Sequence, residues 1–312
     1  MFRVSLPRQP VRQILENRGV RGWYIFDTSA SSRRLVFSHG PNLFVATLAG
    51  KRIRKVVNRE VLDARLSPNG QAVAFVAADP AGTSAPCAAS QIWTVNSDGS
   101  TLRKVSDCAA HPAWGASGGR IAFIGRLSAD WRSGEVTSAA ADGSGRRELA
   151  AWTSIFAPEI TWSSRGGWLA YVDGMRSQIV RVARFGRGPR TLGPGSSPTW
   201  SPNGSHVAFV RREHGHARWS LSVIQRDGRN LRRLDRLGQP GSPEWAPRGS
   251  RIAYVGYVLT RCQCNSQVFL VSPESGRRIQ VTHESPGTIF GRLFWTSEAK
   301  TIVFEAMPPN GH

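Results

Sequence analysis

Hydrophobic residues recur along the chain in short runs that come in pairs. The segment PTWSPNGSHVAFV at 198–210 resembles segments at 63–76, 112–124, 160–172, 243–255 and 293–305. In each segment a tryptophan or leucine stands seven residues before an apolar residue of the next run, and the pairs are Leu66 and Val73, Trp114 and Ile121, Trp162 and Leu169, Trp200 and Val207, Trp245 and Ile252, and Trp295 and Ile302. None of these runs follows the 3.6-residue period of a helix, so each segment predicts two β-strands joined by a tight turn.

The chain continues after each pair of runs in a fixed order. A loop of variable length leads to a third apolar run, such as QIWTV at 91–95, and a basic run follows after a second turn. These second turns contain Asp98-Gly99, Asp142-Gly143, Asp227-Gly228 and Ser275-Gly276. Such pairs supply the positive φ that tight hairpins need. Four short strands that recur about every 45 residues are typical of β-propeller blades.

We therefore predict one all-β domain over 1–312, a β-propeller with seven four-stranded blades. The predicted blades are 22–58, 62–107, 112–150, 159–193, 198–235, 243–282, and 291–306 joined with 2–16. The first blade opens with GWYIF at 22–26 in place of the usual motif. Strands at 2–6 and 11–15 would complete the last sheet beside 301–305, which closes the ring without a seam. A six-bladed ring is the alternative if the first blade or the two termini pack differently.

The motif Trp-Ser-Pro-Asn-Gly at 200–204, followed by a strand with Ala-Phe or Ala-Tyr, resembles the propeller repeat of the TolB family, which is related to WD repeats. The resemblance covers about 2–306. It implies protein binding or a scaffold function, often in the bacterial cell envelope, although a fold does not fix a function. The chain departs from the relatives of this repeat in three ways. It has no room for the α/β domain of TolB, no Trp-Asp dipeptide, and no hydrolase domain of the prolyl-oligopeptidase type.

The net charge of +20 comes almost wholly from arginine. Basic residues begin each predicted fourth strand, at Arg12, Arg54, Lys55, Arg103, Lys104, Arg146, Arg147, Arg190, Arg232, Arg233, Arg277 and Arg278. The fourth strand is the outermost strand of a blade, and charge on such an edge prevents aggregation between sheets. The alternative is a basic surface that binds an acidic partner. Specific nucleic-acid binding is disfavoured, because no stacking aromatic platform accompanies the arginines.

The loops between second and third strands vary, whereas the other turns are short and formulaic. These variable loops are 77–90, 125–134, 211–219 and 256–266. Variable loops on a rigid scaffold usually carry recognition, so we predict that their face binds a protein or peptide. An acidic partner would suit the positive net charge of the chain. The candidate contact residues are Trp131, Arg132, Arg211, Arg212, His214, His216, Arg218 and Arg261. The alternative is that each is only a solvated loop residue.

No catalytic motif is present: the chain lacks Gly-x-Ser-x-Gly, a P-loop and His-Glu-x-x-His. His214 and His216 are too few to hold a metal ion. We therefore expect a monomeric binding scaffold with no catalytic residues, no cofactor and no metal. Two alternatives remain open: an enzyme of the lyase or hydrolase type at the mouth of the central channel, and a sensor of a carbohydrate or another cell-envelope ligand.

The four cysteines bear on the compartment. Cys87 and Cys108 fall in loops on the same predicted face of one blade, and a disulfide between them would contribute about 3 kcal/mol. Cys262 and Cys264 would form a strained disulfide, a weak metal site or two free thiols. The cysteines and the family resemblance favour an extracytoplasmic location. The missing signal peptide favours the cytoplasm, and no apolar stretch is long enough for a transmembrane helix.

Overall fold

The computed structural model of the chain is an all-β propeller. It describes residues 2–5, 12–13, 23–29, 33–77, 90–153, 159–174, 179–184, 187–213, 219–235, 241–259, 264–283, 288–296 and 301–307. These ranges contain strands and turns and no helix. Accordingly, no helix within them could cross a membrane.

The strands are short and are numbered along the chain. The first thirteen are β1 Phe2–Ser5, β2 Arg12–Gln13, β3 Trp23–Ser29, β4 Arg34–His39, β5 Asn42–Thr47, β6 Arg54–Asn58, β7 Asp63–Leu66, β8 Ala72–Ala77, β9 Gln91–Asn96, β10 Arg103–Ser106, β11 Ala110–Trp114, β12 Arg120–Gly125 and β13 Ser133–Ala140. The others are β14 Arg147–Thr153, β15 Ile160–Trp162, β16 Trp168–Asp173, β17 Ile179–Arg184, β18 Arg187–Trp200, β19 His206–Arg212, β20 Trp219–Gln225, β21 Arg232–Asp235, β22 Gly241–Trp245, β23 Ile252–Leu259, β24 Cys264–Val271, β25 Arg278–Gln280, β26 Ile289–Trp295 and β27 Thr301–Met307.

The strands form five four-stranded sheets and one seven-stranded sheet, and all pairs are antiparallel. Four sheets run in chain order, from β3 to β6, β7 to β10, β11 to β14 and β22 to β25. The seven-stranded sheet runs from β15 to β21 and contains the long strand β18. The first part of β18 pairs with β17 and its second part pairs with β19. The predicted blades at 159–193 and 198–235 are therefore joined by one continuous strand rather than by a loop.

Gly195 permits this continuous strand. At the point where β18 changes partner, a side chain on Gly195 would overlap the carbonyl oxygen of Val210 on β19. Only glycine allows the two backbones to approach so closely.

The two ends of the chain share the remaining sheet, in the order β2, β1, β27, β26. Phe2 lies opposite Phe304 and Ser5 lies opposite Thr301. The predicted pairing of the first strand beside 301–305 is therefore confirmed. The second predicted strand is shorter than expected, since β2 covers only Arg12 and Gln13. Backbone hydrogen bonds between the chain ends thus fasten the ring.

The register of β3 corrects one detail of the predicted first blade. Thr28 lies opposite Leu35, seven residues later, as Leu66 lies opposite Val73 in the next sheet. The position of the repeated tryptophan is therefore Thr28, and GWYIF lies too early to hold it. A register shift between Ile25 and Asp27 adds the residue that obscured this alignment.

The hydrophobic core lies between neighbouring sheets. Phe26 and Val36 of one sheet, for example, pack with Leu66 and Phe75 of the next. The first strands of successive units also touch around the ring, in the order β3, β7, β11, β15, β18, β22, β26 and again β3. Each sheet thus buries both faces against its two neighbours, as the blades of a closed propeller do.

Five tryptophans join successive repeat units by a repeated hydrogen bond. Each indole N–H donates to the backbone oxygen of the residue just before the equivalent position in the preceding unit. The Nε1-to-oxygen distances are 2.9 Å from Trp114 to Arg65, 3.0 Å from Trp162 to Ala113, 3.2 Å from Trp200 to Thr161, 3.2 Å from Trp245 to Thr199 and 3.0 Å from Trp295 to Glu244. The predicted packing role of these tryptophans therefore includes a directional bond between units.

The two units without this tryptophan use charged side chains instead. Where Thr28 replaces the indole, Arg292 of the preceding unit donates to the backbone oxygen of Phe26 at 2.9 Å. Where Leu66 replaces it, its backbone N–H donates to Asp27 Oδ2 at 2.9 Å. Charged groups thus lie on the inner side of the ring at these two joints.

The indole hydrogen bond yields a stability prediction. We expect Trp200→Phe to lower the free energy of unfolding by about 1–3 kcal/mol, because it removes the donor to Thr161 and leaves a small void. A thermal melt followed by circular dichroism measures the change. Trp131→Phe is the control, since Trp131 is 38% exposed and its change should stay within about 0.5 kcal/mol. Equal melting of the wild type and Trp200→Phe would contradict the role of this bond.

Candidate functional site

Polar side chains line the inner strands in two rows, one and three residues before the repeated tryptophan position. Alternate residues of a strand share a face, and the other face of these strands packs between the sheets. The row nearer the turns holds Asp27, Arg65, Ala113, Thr161, Thr199, Glu244 and Phe294. The row nearer the start of the strands holds Asp63, His111, Glu159, Ser197 and Arg292. The charged members of both rows are called the channel cluster here: Asp27, Asp63, Arg65, His111, Glu159, Glu244 and Arg292.

β-Bulges help to aim these side chains. The register shifts between Ala110 and Ala113 on β11 and between Ser196 and Thr199 on β18. His111 and Ser197 lie at these shifts with φ of 56° and 51°. A bulge adds a residue and re-orients the side chains beside it, so His111 and Ser197 take directions that a regular strand would not give them, whereas the strand of Asp63 has no such shift.

Asp63 is the centre of the channel cluster. It is 7% exposed, and its Oδ1 accepts a hydrogen bond from the neighbouring Arg65 guanidinium. The same Oδ1 lies 3.9 Å from Arg292 Nη1 on β26. Its Oδ2 lies 3.8 Å from His111 Nδ1 on β11 and has no hydrogen-bond partner within the described ranges. Three separate sheets therefore converge on one buried carboxylate that retains a free acceptor.

Burial raises the pKa of three carboxyl groups in the cluster. The pKa of Glu244 rises to about 8, first through burial and then through the negative charge of Asp27. The pKa of Asp27 rises to about 6 through burial, although Arg65 and the N–H groups of Leu66 and Thr28 oppose the shift. Burial also raises the pKa of Glu159, against hydrogen bonds from Ser197. At neutral pH Glu244 therefore holds a proton and can donate it in a hydrogen bond, while Asp27 is ionised.

His111 is held neutral. Burial lowers the pKa of its imidazole, and the positive charges of Arg65 and Arg292 add to this effect against the attraction of Asp63. The cluster thus combines two guanidiniums, ionised and protonated carboxyl groups and a neutral imidazole, and its members other than the buried Asp63 are half-buried. Such a set can pair with a ligand that carries both hydrogen-bond donors and acceptors.

The channel cluster opens toward the predicted loop face. Strand β11 follows directly after Cys108, and the Leu127 N–H of the next variable loop donates to the Cys108 oxygen at 3.0 Å. The loops that precede the inner strands therefore adjoin the variable loops. The row nearer the start of the strands, with Asp63 and His111, therefore lies next to this face.

The predicted contact residues have different outcomes. Trp131 is 38% exposed and the adjacent Arg132 is exposed, in a loop where Asp130 accepts the Arg132 N–H at 3.2 Å. Arg211 is half-buried and Arg212 is exposed at the end of β19. Four further candidates lie outside the described residues and stay predictions: His214, His216, Arg218 and Arg261.

The predicted disulfide between Cys87 and Cys108 can be followed at one of its two cysteines. Cys108 is disulfide-bonded. Its predicted partner Cys87 lies outside the described residues, so the pairing itself stays a prediction. For a metal ion, the described ranges contain no group of three or more histidine, cysteine, aspartate or glutamate side chains placed to bind one.

The basic residues of the outer strands are exposed as predicted from Arg54 to Arg278, whereas the side chain of Arg12 lies outside the described part of the structure. Several of these arginines also tie successive units together. Arg54 donates to the Asp98 oxygen at 3.3 Å, in the second turn of the next unit. Arg190 and Arg232 make the same bond to the backbone oxygens of Asp227 and Glu274. The arginines therefore fasten the rim of the ring, in addition to protecting the sheet edges.

Sequence reasoning missed the channel cluster. The signal was present, because polar residues recur one and three places before the tryptophan position in strands that are otherwise apolar. Asp63 with Arg65 and Glu159 with Thr161 show this spacing. The convergence of such residues depends on ring closure, which brings β7, β11 and β26 together.

Comparisons with known proteins support the fold. No family model matches the chain, and no curated protein matches its sequence. An oligogalacturonate lyase solved in complex with manganese has a TM-score of 0.67 and 12% identity, over 91% of this chain and 86% of the lyase. A putative TolB from Agrobacterium tumefaciens has a TM-score of 0.57 and 16% identity, over 98% and 97%.

TolB from Acinetobacter baumannii has a TM-score of 0.54 and 14% identity over 85% of this chain, which spans 64% of that TolB chain. The resemblance to TolB-like propellers is therefore confirmed for the fold. At such low identity the likeness extends no further than the fold.

The raised pKa of Glu244 yields a pH prediction. The folded chain keeps this proton up to about pH 8, whereas the unfolded chain releases it near 4.5, so stability falls as pH rises across this interval. The loss is at most about 1.4 kcal/mol per pH unit. In Glu244→Gln we expect the free energy of unfolding to fall less steeply as the pH rises, which urea unfolding between about pH 5 and 8 measures. The exposed Glu148→Gln is the control and should keep the wild-type slope, and an unchanged slope in Glu244→Gln would refute the assignment.

Proposed function

We propose that the chain is a non-catalytic propeller scaffold that binds a protein or peptide on its variable-loop face, with a polar segment of the partner entering the ring at the channel cluster. The observation that carries the proposal is Asp63, a buried carboxylate with an unpartnered Oδ2 between His111 and the two arginines of the cluster. A buried acceptor without a donor is costly, and a bound ligand can supply that donor.

The proposal includes a ring of seven blades. Strand β18 serves as the last strand of one blade and the first strand of the next, so the seven-stranded sheet counts as two blades. The five four-stranded sheets complete the count. The contact of β26 with β3 supports closure of the ring at the shared terminal blade.

A peptide suits the chemistry of this face. Its backbone N–H groups can donate to Asp63 Oδ2, and its carbonyl or carboxylate oxygens can accept from Arg65 and Arg292. Trp131 and Arg132 at the rim are residue types that often dominate binding interfaces. The net charge of +20 would accelerate encounters with acidic partners.

Peptide display tests the proposal. We expect the immobilised full chain to enrich peptides from the library. We expect Asp63→Asn and Arg292→Gln each to lower the affinity for the enriched peptides at least about tenfold, since each removes one charge that contacts the bound segment. Biolayer interferometry measures the affinities. The matched control is Arg229→Gln, because Arg229 is 82% exposed in a turn away from the channel. Thermal melts verify that each variant is folded, and equal affinity for all variants would exclude the channel cluster from the interface.

A second candidate function is an enzyme at the channel mouth. The shifted pKa values of the channel cluster favour it. Glu244 and Asp27 have raised pKa values near a neutral His111, and such shifts concentrate at functional sites. One of the similar structures is an oligogalacturonate lyase. Against this reading, His111 is the one histidine among the described residues of the two rows, and its 3.8 Å separation from Asp63 exceeds a hydrogen bond.

One assay separates the three functions. Under our proposal, incubation with oligogalacturonate gives no unsaturated product in ultraviolet absorbance and no saturable binding in calorimetry. Product formation that disappears in His111→Asn would establish the enzyme instead. Saturable binding without product would establish a carbohydrate sensor.

A further inference from the structure

A separate cavity of about 640 Å³ lies on the face opposite the variable loops. It is built from the turns between the first and second strands and between the third and fourth strands, where β18 to β21 meet β22 to β25. We propose that this cavity is a binding site for a small organic molecule that carries a phosphate group. The lining residues that carry the argument are Arg165, His206, Arg232, Trp245 and Arg248.

Three arginines line the cavity. Arg165, Arg232 and Arg248 are all exposed, and the ion pairs within the described ranges involve none of them. The Arg232 guanidinium is oriented by a hydrogen bond to the backbone oxygen of Glu274. The Glu274 side chain is the one carboxylate among the described lining residues, so the cavity keeps a clear excess of positive charge.

An equivalent cavity elsewhere in the ring shows which lining residues belong to every such cleft of the repeat and which are particular to the first cavity. Between β7 to β10 and β11 to β14, a cavity of about 410 Å³ has Arg103 in the place of Arg232 and Trp114 in the place of Trp245. It has Ala72 where the first cavity has His206, since each residue begins the second strand of its unit. The fold therefore builds the cleft with one arginine and one tryptophan.

Arg165 and Arg248 are additions that the cleft does not require, whereas the position of His206 is also basic in other units, as Arg34, Arg120 and Arg251. The position of Arg248 is taken by Ser117 in the other unit, three residues after the tryptophan. Two cations that the repeat does not need, both of which line this one cavity, favour an anion as its ligand. Guanidinium groups bind phosphate oxygens in a bidentate manner, which makes arginine the usual residue for this purpose.

The remaining walls favour an organic ligand over an inorganic ion. Trp245 is 8% exposed and closes the cavity, and Pro202 and Pro247 extend its apolar wall. The volume lies in the usual range for small-molecule sites, and such sites combine apolar walls with a few polar groups. A free phosphorylated metabolite and a lipid phosphate headgroup share this chemistry.

Titration calorimetry with phenyl phosphate and with pyrophosphate tests the proposal on the full chain. We expect saturable binding by the wild type and at least about tenfold weaker binding by the double variant Arg165→Gln, Arg248→Gln, both of whose positions are exposed. The double variant Arg54→Gln, Arg103→Gln is the matched control, because it also removes two exposed guanidiniums, one of them from the equivalent cavity. Its affinity should equal that of the wild type.

The control removes non-specific attraction to the net charge as an explanation. Equal weakening in the control and in the variant Arg165→Gln, Arg248→Gln, or no saturable binding of either probe by the wild type, would overturn the proposal. Co-sedimentation with phosphatidylcholine vesicles, with and without phosphatidic acid, then distinguishes the sources. Vesicle binding that needs both phosphatidic acid and the two arginines indicates a headgroup, and binding of the soluble probes alone indicates a free metabolite.

Discussion

The joint between neighbouring inner strands is the constraint on which the rest of this structure depends. At five joints an indole N–H, such as that of Trp200, reaches the backbone of the preceding unit. At three places on the rim, an arginine of an outer strand donates to the second turn of the following unit. Successive units are thus held together at their inner strands and, in these three cases, also at the rim. These directional bonds set how neighbouring sheets sit against each other, which apolar packing alone leaves loosely defined.

The departures from this joint coincide with the chemistry. Thr28 and Leu66 lack the indole, and the neighbouring Arg292 and Asp27 make the polar contacts at those two joints. Asp63 belongs to the unit that contains Leu66, and Arg292 belongs to the unit that precedes Thr28. The charged cluster therefore lies where the repeat is least regular. A repeat that stabilises itself elsewhere can carry buried charge at a few positions, because the remaining joints supply the stability that such burial costs.

The two faces of the ring divide the candidate functions. Trp131 and Arg132 lie on the variable-loop face, for which we have proposed the binding of a protein or peptide. The formulaic turns on the other face form clefts between sheets, one of which holds the added cations Arg165 and Arg248. Both sites use the same frame, in which rigid strands hold short loops. A change of a few loop or turn residues can therefore create a new site without disturbing the core.

The sequence by itself determined the strands, the four-stranded unit and the pairing of the chain ends. The seven-residue offset from Trp200 to Val207 is a local property of a hairpin, and strand periodicity is visible in any single repeat. Only the tertiary structure decided that β18 is continuous, that Thr28 occupies the tryptophan position, and that Asp63, His111 and Arg292 meet. These residues lie on different sheets, and a bulge near Ile25 or His111 shifts the local register. Their meeting depends on closure of the ring and on those shifts, and neither leaves a periodic trace in the chain.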